Sequence, residues 1–180
     1  MHEERELRRV RVQTSHGAID GDLAINPRVR TLDELNAASC KFFTIRASEV
    51  TLPGASFEAG PLGLNKESIL FVTELSERTR TSDQRVERSH FVRSAVRLRV
   101  GEFDIQGYLH VRGLRDPLVW LNHSRQPFVA LTSASVIGPS AEFATAFLAV
   151  NPRHVLAAQD LSCNAEPAAD LPHETAIETC

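Results

Sequence analysis

The chain has 180 residues, 42% of them hydrophobic, with 20 Lys or Arg against 23 Asp or Glu and a net charge of −3. That length suits one ordinary domain or two very small ones. No apolar run approaches the ~20 residues of a membrane-spanning helix, and the near-neutral balance counts against a dedicated nucleic-acid binder, which normally shows a clear basic excess.

Charge is uneven along the chain. Residues 162–180 hold Glu166, Asp170, Glu174 and Glu178 and no Lys or Arg, which leaves 19 acidic against 20 basic residues before them. This acidic, Ala- and Pro-containing tail lacks periodicity and is expected to be disordered. Residues 1–9 form an N-terminal segment that is charged and lacks the apolar core of a secretory signal. The three cysteines, Cys40, Cys163 and Cys180, have no metal-type spacing. A cytoplasmic protein with no metal, no cofactor and no membrane association is expected.

In chain order, residues 3–9 suit one short charged helical turn. From Val10 the pattern alternates, with Val10, Val12 and Thr14 on one face and Arg9, Arg11 and Gln13 on the other, as in a half-buried strand. Ser15-His16-Gly17 is turn chemistry. Ile19, Gly21, Leu23 and Ile25 then continue as the second arm of a hairpin, with Asp20 and Asp22 facing solvent. Gly21, in the inward row, marks a bend or a close approach by another backbone. Asn26-Pro27 ends the strand. Thr31 to Asn36 reads as one helical turn capped by Thr31, with Glu34 three residues later and Leu32 and Leu35 on one face. Lys41 to Val50 is the third strand; the adjacent Phe42 and Phe43 predict cover on both sides. Asn65-Lys66-Glu67 makes a tight corner, with Asn65 in the left-handed conformation. Ile69 to Leu75 is a last strand.

The same plan is then written again. Val10-Arg11 returns as Val96-Arg97, Ile19-x-Gly21-x-Leu23 as Ile105-x-Gly107-x-Leu109, Leu35-Asn36 as Leu121-Asn122, Phe42 as Phe128, and Asn65 as Asn151, all at an offset of 86 positions. An unbroken register predicts duplication of one folding unit. The fold class expected is therefore all-β: two tandem small β-barrels, residues 10–75 and 90–161, each with a short helical turn between its second and third strands. Residues 76–89 read as a solvated linker carrying Arg78, Arg80, Arg85 and Arg88. A unit of ~65 residues is marginal alone, so the units are expected to pack together or share sheet edges, and open edges invite strand addition.

The hairpin with its inward glycine, the step Asp33-Glu34-Leu35-Asn36, and the corner Asn65-Lys66-Glu67-Ser68-Ile69 resemble the Sm-like, or SH3-like, small barrel. The second half offers Leu121-Asn122 and Asn151-Pro152-Arg153-His154-Val155. Val119 replaces Asp33, and the glycine of the family's second corner is absent from both halves. The resemblance implies barrels joined edge to edge into rings of six or seven and an RNA-binding loop surface. On these positions that surface comprises Asn36, Asn65, Lys66, Asn122, Arg153 and His154. Arg5-x-x-x-Arg9 and Arg93-x-x-x-Arg97 also resemble the arginine pair ahead of PilZ barrels, which bind cyclic di-GMP; the Asp/Asn-x-Ser-x-x-Gly loop of that family is missing.

No catalytic constellation accompanies the barrel pattern. There is no Gly-x-Ser-x-Gly elbow, no phosphate-binding glycine loop and no His-Glu-x-x-His. The function expected is a non-catalytic interaction or assembly module rather than an enzyme. It would self-associate or bind a protein partner through barrel edges, with Trp120 as a candidate interface anchor buried between the barrels. Single-stranded RNA binding is the alternative, and a PilZ-like cyclic dinucleotide receptor stands behind it.

Overall fold

A computed structural model of the chain describes residues 5–37, 40–51, 60–75, 91–113, 116–139 and 142–162. The strands are β1 (Glu6–Thr14), β2 (Gly17–Ile25), β3 (Phe42–Thr51), β4 (Gly60–Asn65), β5 (Ile69–Glu74), β6 (Phe91–Val100), β7 (Phe103–Arg112), β8 (Val129–Ile137), β9 (Glu142–Val150) and β10 (Val155–Asp160). Two short helices, α1 (Thr31–Asn36) and α2 (Pro117–His123), lie between β2 and β3 and between β7 and β8. Single 3-10 turns, Lys66–Ser68 and Pro152–His154, join β4 to β5 and β9 to β10. The chain is all-β, and no helix among the described residues is long and apolar enough to cross a membrane. The expected linker, residues 76–89, and all but Ser162 of the expected tail lie outside the described residues.

The ten strands of the described residues belong to one open sheet in the order β10-β6-β7-β8-β9-β5-β1-β2-β3-β4, with antiparallel neighbours throughout. The first half runs β5-β1-β2-β3-β4 and the second β10-β6-β7-β8-β9, which is the same connectivity. Register repeats too: Val10 pairs with Gly21 and Val96 with Gly107, Ala18 with Thr51 and Asp104 with Ile137, Phe43 with Leu64 and Val129 with Val150. The expectation of two barrels separated by a linker meets a sheet that is continuous between the halves, because β5 pairs with β9.

Alternation sets the buried rows. Val10, Val12, Ile19, Leu23, Ile25, Phe43 and Ile45 form a first core with Leu35 of α1. Val96, Leu98, Val100, Ile105, Leu109, Val111, Leu131 and Val136 form a second. The seam strands serve both: Ile69, Val72 and Ala149 belong to the first core, whereas Leu70, Phe71, Leu148 and Val150 belong to the second. Phe128, at the entry to β8, is buried in the first core although it comes from the second half of the chain.

Both inward glycines sit at β-bulges. The register of β2 on β3 shifts between Asp20 and Gly21, and a Cβ on Gly21 would lie 2.6 Å from the carbonyl oxygen of Arg46. At the matching shift of β7 on β8, a Cβ on Gly107 would lie 3.3 Å from Ala134. A bare backbone is what lets the next strand approach so closely.

Several local expectations change. Residues 6–9 extend β1 instead of forming a helical turn. The inward row continues back from Val10 to Arg8, whose charge disguises a buried position; its guanidinium bonds Glu6 and Thr31. Thr31 does not cap α1: its hydroxyl is drawn to Arg8 and Glu74. Asp116 does cap α2, accepting from Leu118 N at 2.7 Å, with Pro117 at the first helical position. Asn65 is extended, φ −63° and ψ 121°, because it caps the following 3-10 turn, so the left-handed corner is not formed. Asp20 is buried rather than solvated, held by two 2.8 Å bonds from Arg11 across the hairpin. Phe42, expected to be covered, is exposed beside the β4 edge.

Candidate functional site at the β5–β9 seam

Among the described residues, a specific polar arrangement lies where the two halves meet. Three residue pairs form the ladder: Phe71 with Val150, Val72 with Ala149, and Thr73 with Leu148. An edge strand presents unpaired N–H and C=O groups, and here each edge satisfies the other. Thr73 extends the joint, its hydroxyl donating to the carbonyl of Phe147 at 2.9 Å and lying 2.8 Å from that of Thr145.

Two asparagines fasten the Phe71–Val150 end. The turn Pro152–His154 is capped by Asn151, whose Oδ1 accepts from Arg153 N at 3.1 Å. The Asn151 Nδ2 then donates to the carbonyls of Lys66 and Ile69 at 3.2 and 3.0 Å, and its backbone N–H reaches Leu70 O at 2.9 Å. A buried amide that satisfies three partners fixes the turn of one half against the turn of the other. At the same end, on the β8 flank of β9, Asn36 receives the Phe128 N–H on Oδ1 at 2.8 Å and donates from Nδ2 to the Phe128 carbonyl at 3.0 Å. Its side chain thus imitates a strand neighbour for a residue 92 positions away.

Charge ties the turn Lys66–Ser68 to α1 within the first half and to Arg153 across the joint. The buried Lys66 ammonium donates to Ala37 O at 3.0 Å and Glu34 O at 3.4 Å, at the C-terminal end of α1 where carbonyls attract a cation. Arg153 Nη1 meets Glu67 Oε1 at 2.6 Å, and His154 Nε2 lies 2.7 Å from the Glu67 carbonyl. Away from the seam, Arg97 donates through Nε to both Asp104 oxygens, at 2.9 and 3.0 Å. These bonds hold the Asp104 carboxyl below the usual aspartate range, against a smaller opposing effect of burial.

Of the six positions singled out in sequence, Asn36, Lys66, Arg153 and His154 make contacts within or beside this joint. Asn65 is exposed and caps its own turn. Asn122 is exposed on α2, and among the described residues it makes no side-chain hydrogen bond. Trp120 is half-buried on α2 against the second core, near β10 and β7. The sequence reading does not single out Asn151, Phe128 or Leu70, which the structure places at this joint; the available signal is the 86-position offset, which matches them to the exposed Asn65, Phe42 and Leu156.

Among the described residues no group of three or more His, Cys, Asp or Glu is placed to hold a metal. A shallow hollow lined by Ser133, Ala134, Ser135, Ala144, Thr145 and Ala146 contains hydroxyls but no acid or base to activate them. What the seam does chemically is hold one backbone edge against another. No family model, curated protein or solved structure matches the chain.

Proposed function

We propose that the chain is a non-catalytic assembly module, made by duplication of one Sm-like small-barrel unit, that joins to protein through its sheet edges. The observation that carries this reading is the β5–β9 seam. It is a three-pair edge-to-edge joint between two units of like connectivity, and the same sheet leaves β4 and β10 as its outer strands. Duplication is supported by the constant offset of elements: β5 (Ile69–Glu74) maps onto β10 (Val155–Asp160) and the turn Lys66–Ser68 onto Pro152–His154.

Single-stranded RNA binding has less support. The donors of Asn36 and Lys66 are directed to backbone carbonyls, and Arg153 is paired with Glu67. The cyclic dinucleotide reading loses ground similarly, since Arg9 faces Asp22 at 3.7 Å, Arg93 stacks on Tyr108 and Arg97 holds Asp104.

Size-exclusion chromatography with light scattering tests self-association over a range of concentrations. A mass above the 19.9 kDa of one chain is expected. A 19.9 kDa species at every concentration would remove self-association and leave only attachment to a different protein.

A further inference from the structure

We infer that the two outer edges are the separated halves of a second copy of the inner seam, so that β10 of one chain docks on β4 of another, head to tail. This rests on the assembly reading above and names its partner: a second copy of this chain.

The inference comes from comparing four residues that flank the inner ladder with the residues 86 positions away. Phe128 is 0% exposed in the first core, whereas Phe42 is 58% exposed. Leu70 is 4% exposed, whereas Leu156 is 74% exposed. Asn151 is 2% exposed and bonded across the joint, whereas Asn65 is open to solvent. Asn36 grips the Phe128 backbone, whereas Asn122 makes no such bond among the described residues. In these four pairs the member at the inner joint is covered or bonded across it, and its twin keeps the same residue type, open to solvent, on the outer side; the ladder residues themselves change type, Phe71 to Ala157, Val72 to Ala158 and Thr73 to Gln159.

The twins are also divided correctly between the two edges. Phe42 and Asn65 stand by β4, while Leu156 and Asn122 belong to the β10 side. One chain therefore offers a phenylalanine and a capped asparagine turn, and the next offers the leucine and the asparagine that receive them.

The inner register transfers directly. Phe71–Val150, Val72–Ala149 and Thr73–Leu148 become Ala157–Leu64, Ala158–Gly63 and Gln159–Leu62 between chains. Pro61, which lacks an N–H, falls one place beyond this three-residue ladder. Its carbonyl corresponds to that of Phe147, the acceptor for Thr73. Charge fits as well, because Glu67 and Arg153 are each other's counterparts. The outer joint brings the same two residue types together, although within one chain they already pair with each other at 2.6 Å. Such a heterologous joint repeats until a ring closes or a filament forms.

Edge-specific variants test this on the full chain. Phe42→Asp blocks the β4 side and Leu156→Asp the β10 side; both positions are exposed, and circular dichroism checks that each variant folds. Wild type is expected above the one-chain mass, each variant alone at 19.9 kDa, and their equimolar mixture at twice that mass, because each retains one sound edge. Assembly of either variant alone, or a mixture that stays monomeric, overturns the head-to-tail joint while leaving self-association by another surface. Monomeric wild type overturns the choice of partner, and the wider reading of an edge-binding module survives. Register is read by disulfide formation in chains with Cys40, Cys163 and Cys180 replaced by Ser. Gly63→Cys mixed with Ala158→Cys should cross-link, whereas Gly63→Cys mixed with Ala157→Cys should not; the reverse result overturns the register.

Discussion

Replacing Phe128 with alanine should destabilise the dilute chain far more than replacing Phe42, although the two occupy equivalent places in sequence. Phe128 is 0% exposed, and a phenylalanine ring buries roughly 150–250 Å². At ~25 cal/mol per Å² that is ~4–6 kcal/mol, and allowing for what alanine retains, the cost expected is about 3–5 kcal/mol. Phe42 is 58% exposed, so less than half of that area is at stake and the cost falls to about 1–2 kcal/mol. Urea unfolding followed by circular dichroism, at concentrations low enough to keep the chain monomeric, measures both. With a slope of ~2 kcal/mol per molar urea, Phe128→Ala should lower the midpoint by about 1.5–2.5 M and Phe42→Ala by less than about 1 M. Equal shifts would refute the assignment of Phe128 to the first core, and with it the reasoning that one twin is docked while the other is open.

Gly21→Ala should cost about 1–3 kcal/mol, because its Cβ would meet the Arg46 carbonyl at 2.6 Å, and Gly107→Ala should cost less, its nearest neighbour being 3.3 Å away; thermal melts of the pair give the order. Asn151→Ala leaves the Lys66 and Ile69 carbonyls without their donor at about 1–3 kcal/mol apiece, whereas Asn65→Ala should cost under about 1 kcal/mol in the monomer. Because Arg97 depresses the Asp104 carboxyl, that residue binds its proton more weakly folded than unfolded. Its contribution to stability is therefore present above the ordinary aspartate pKa and lost as pH falls through the depressed value. Asp104→Asn should flatten that acid-side loss in pH-dependent unfolding, and an unchanged slope would count against the pair.

Sequence patterning carries the strands and their faces. Alternation at Val10, Val12 and Thr14 and at Phe43, Ile45 and Ala47 marks positions that are buried, since period two and burial share one geometric cause. It also carries the bulges, through Gly21 and Gly107, where a side chain would strike the adjacent strand. The start of β1 was hidden because Arg8 is a charged residue in an inward row, made tolerable only by Glu6 and Thr31.

The identity of each strand's neighbour across the seam was decided by tertiary structure alone. Backbone hydrogen bonding along a strand edge is nearly independent of side chains, so no residue of β5 announces that it pairs with β9 rather than closing on β4. The same holds for Asn36 and Asn151: a hydrophilic side chain near a turn suits a local cap, and their actual partners lie 92 and 85 residues away. Sequence by itself determined the all-β class and the inward faces of the strands. Only the folded chain decided which edges were joined and which were left open, because that choice rests on contacts too distant along the chain for local pattern to encode.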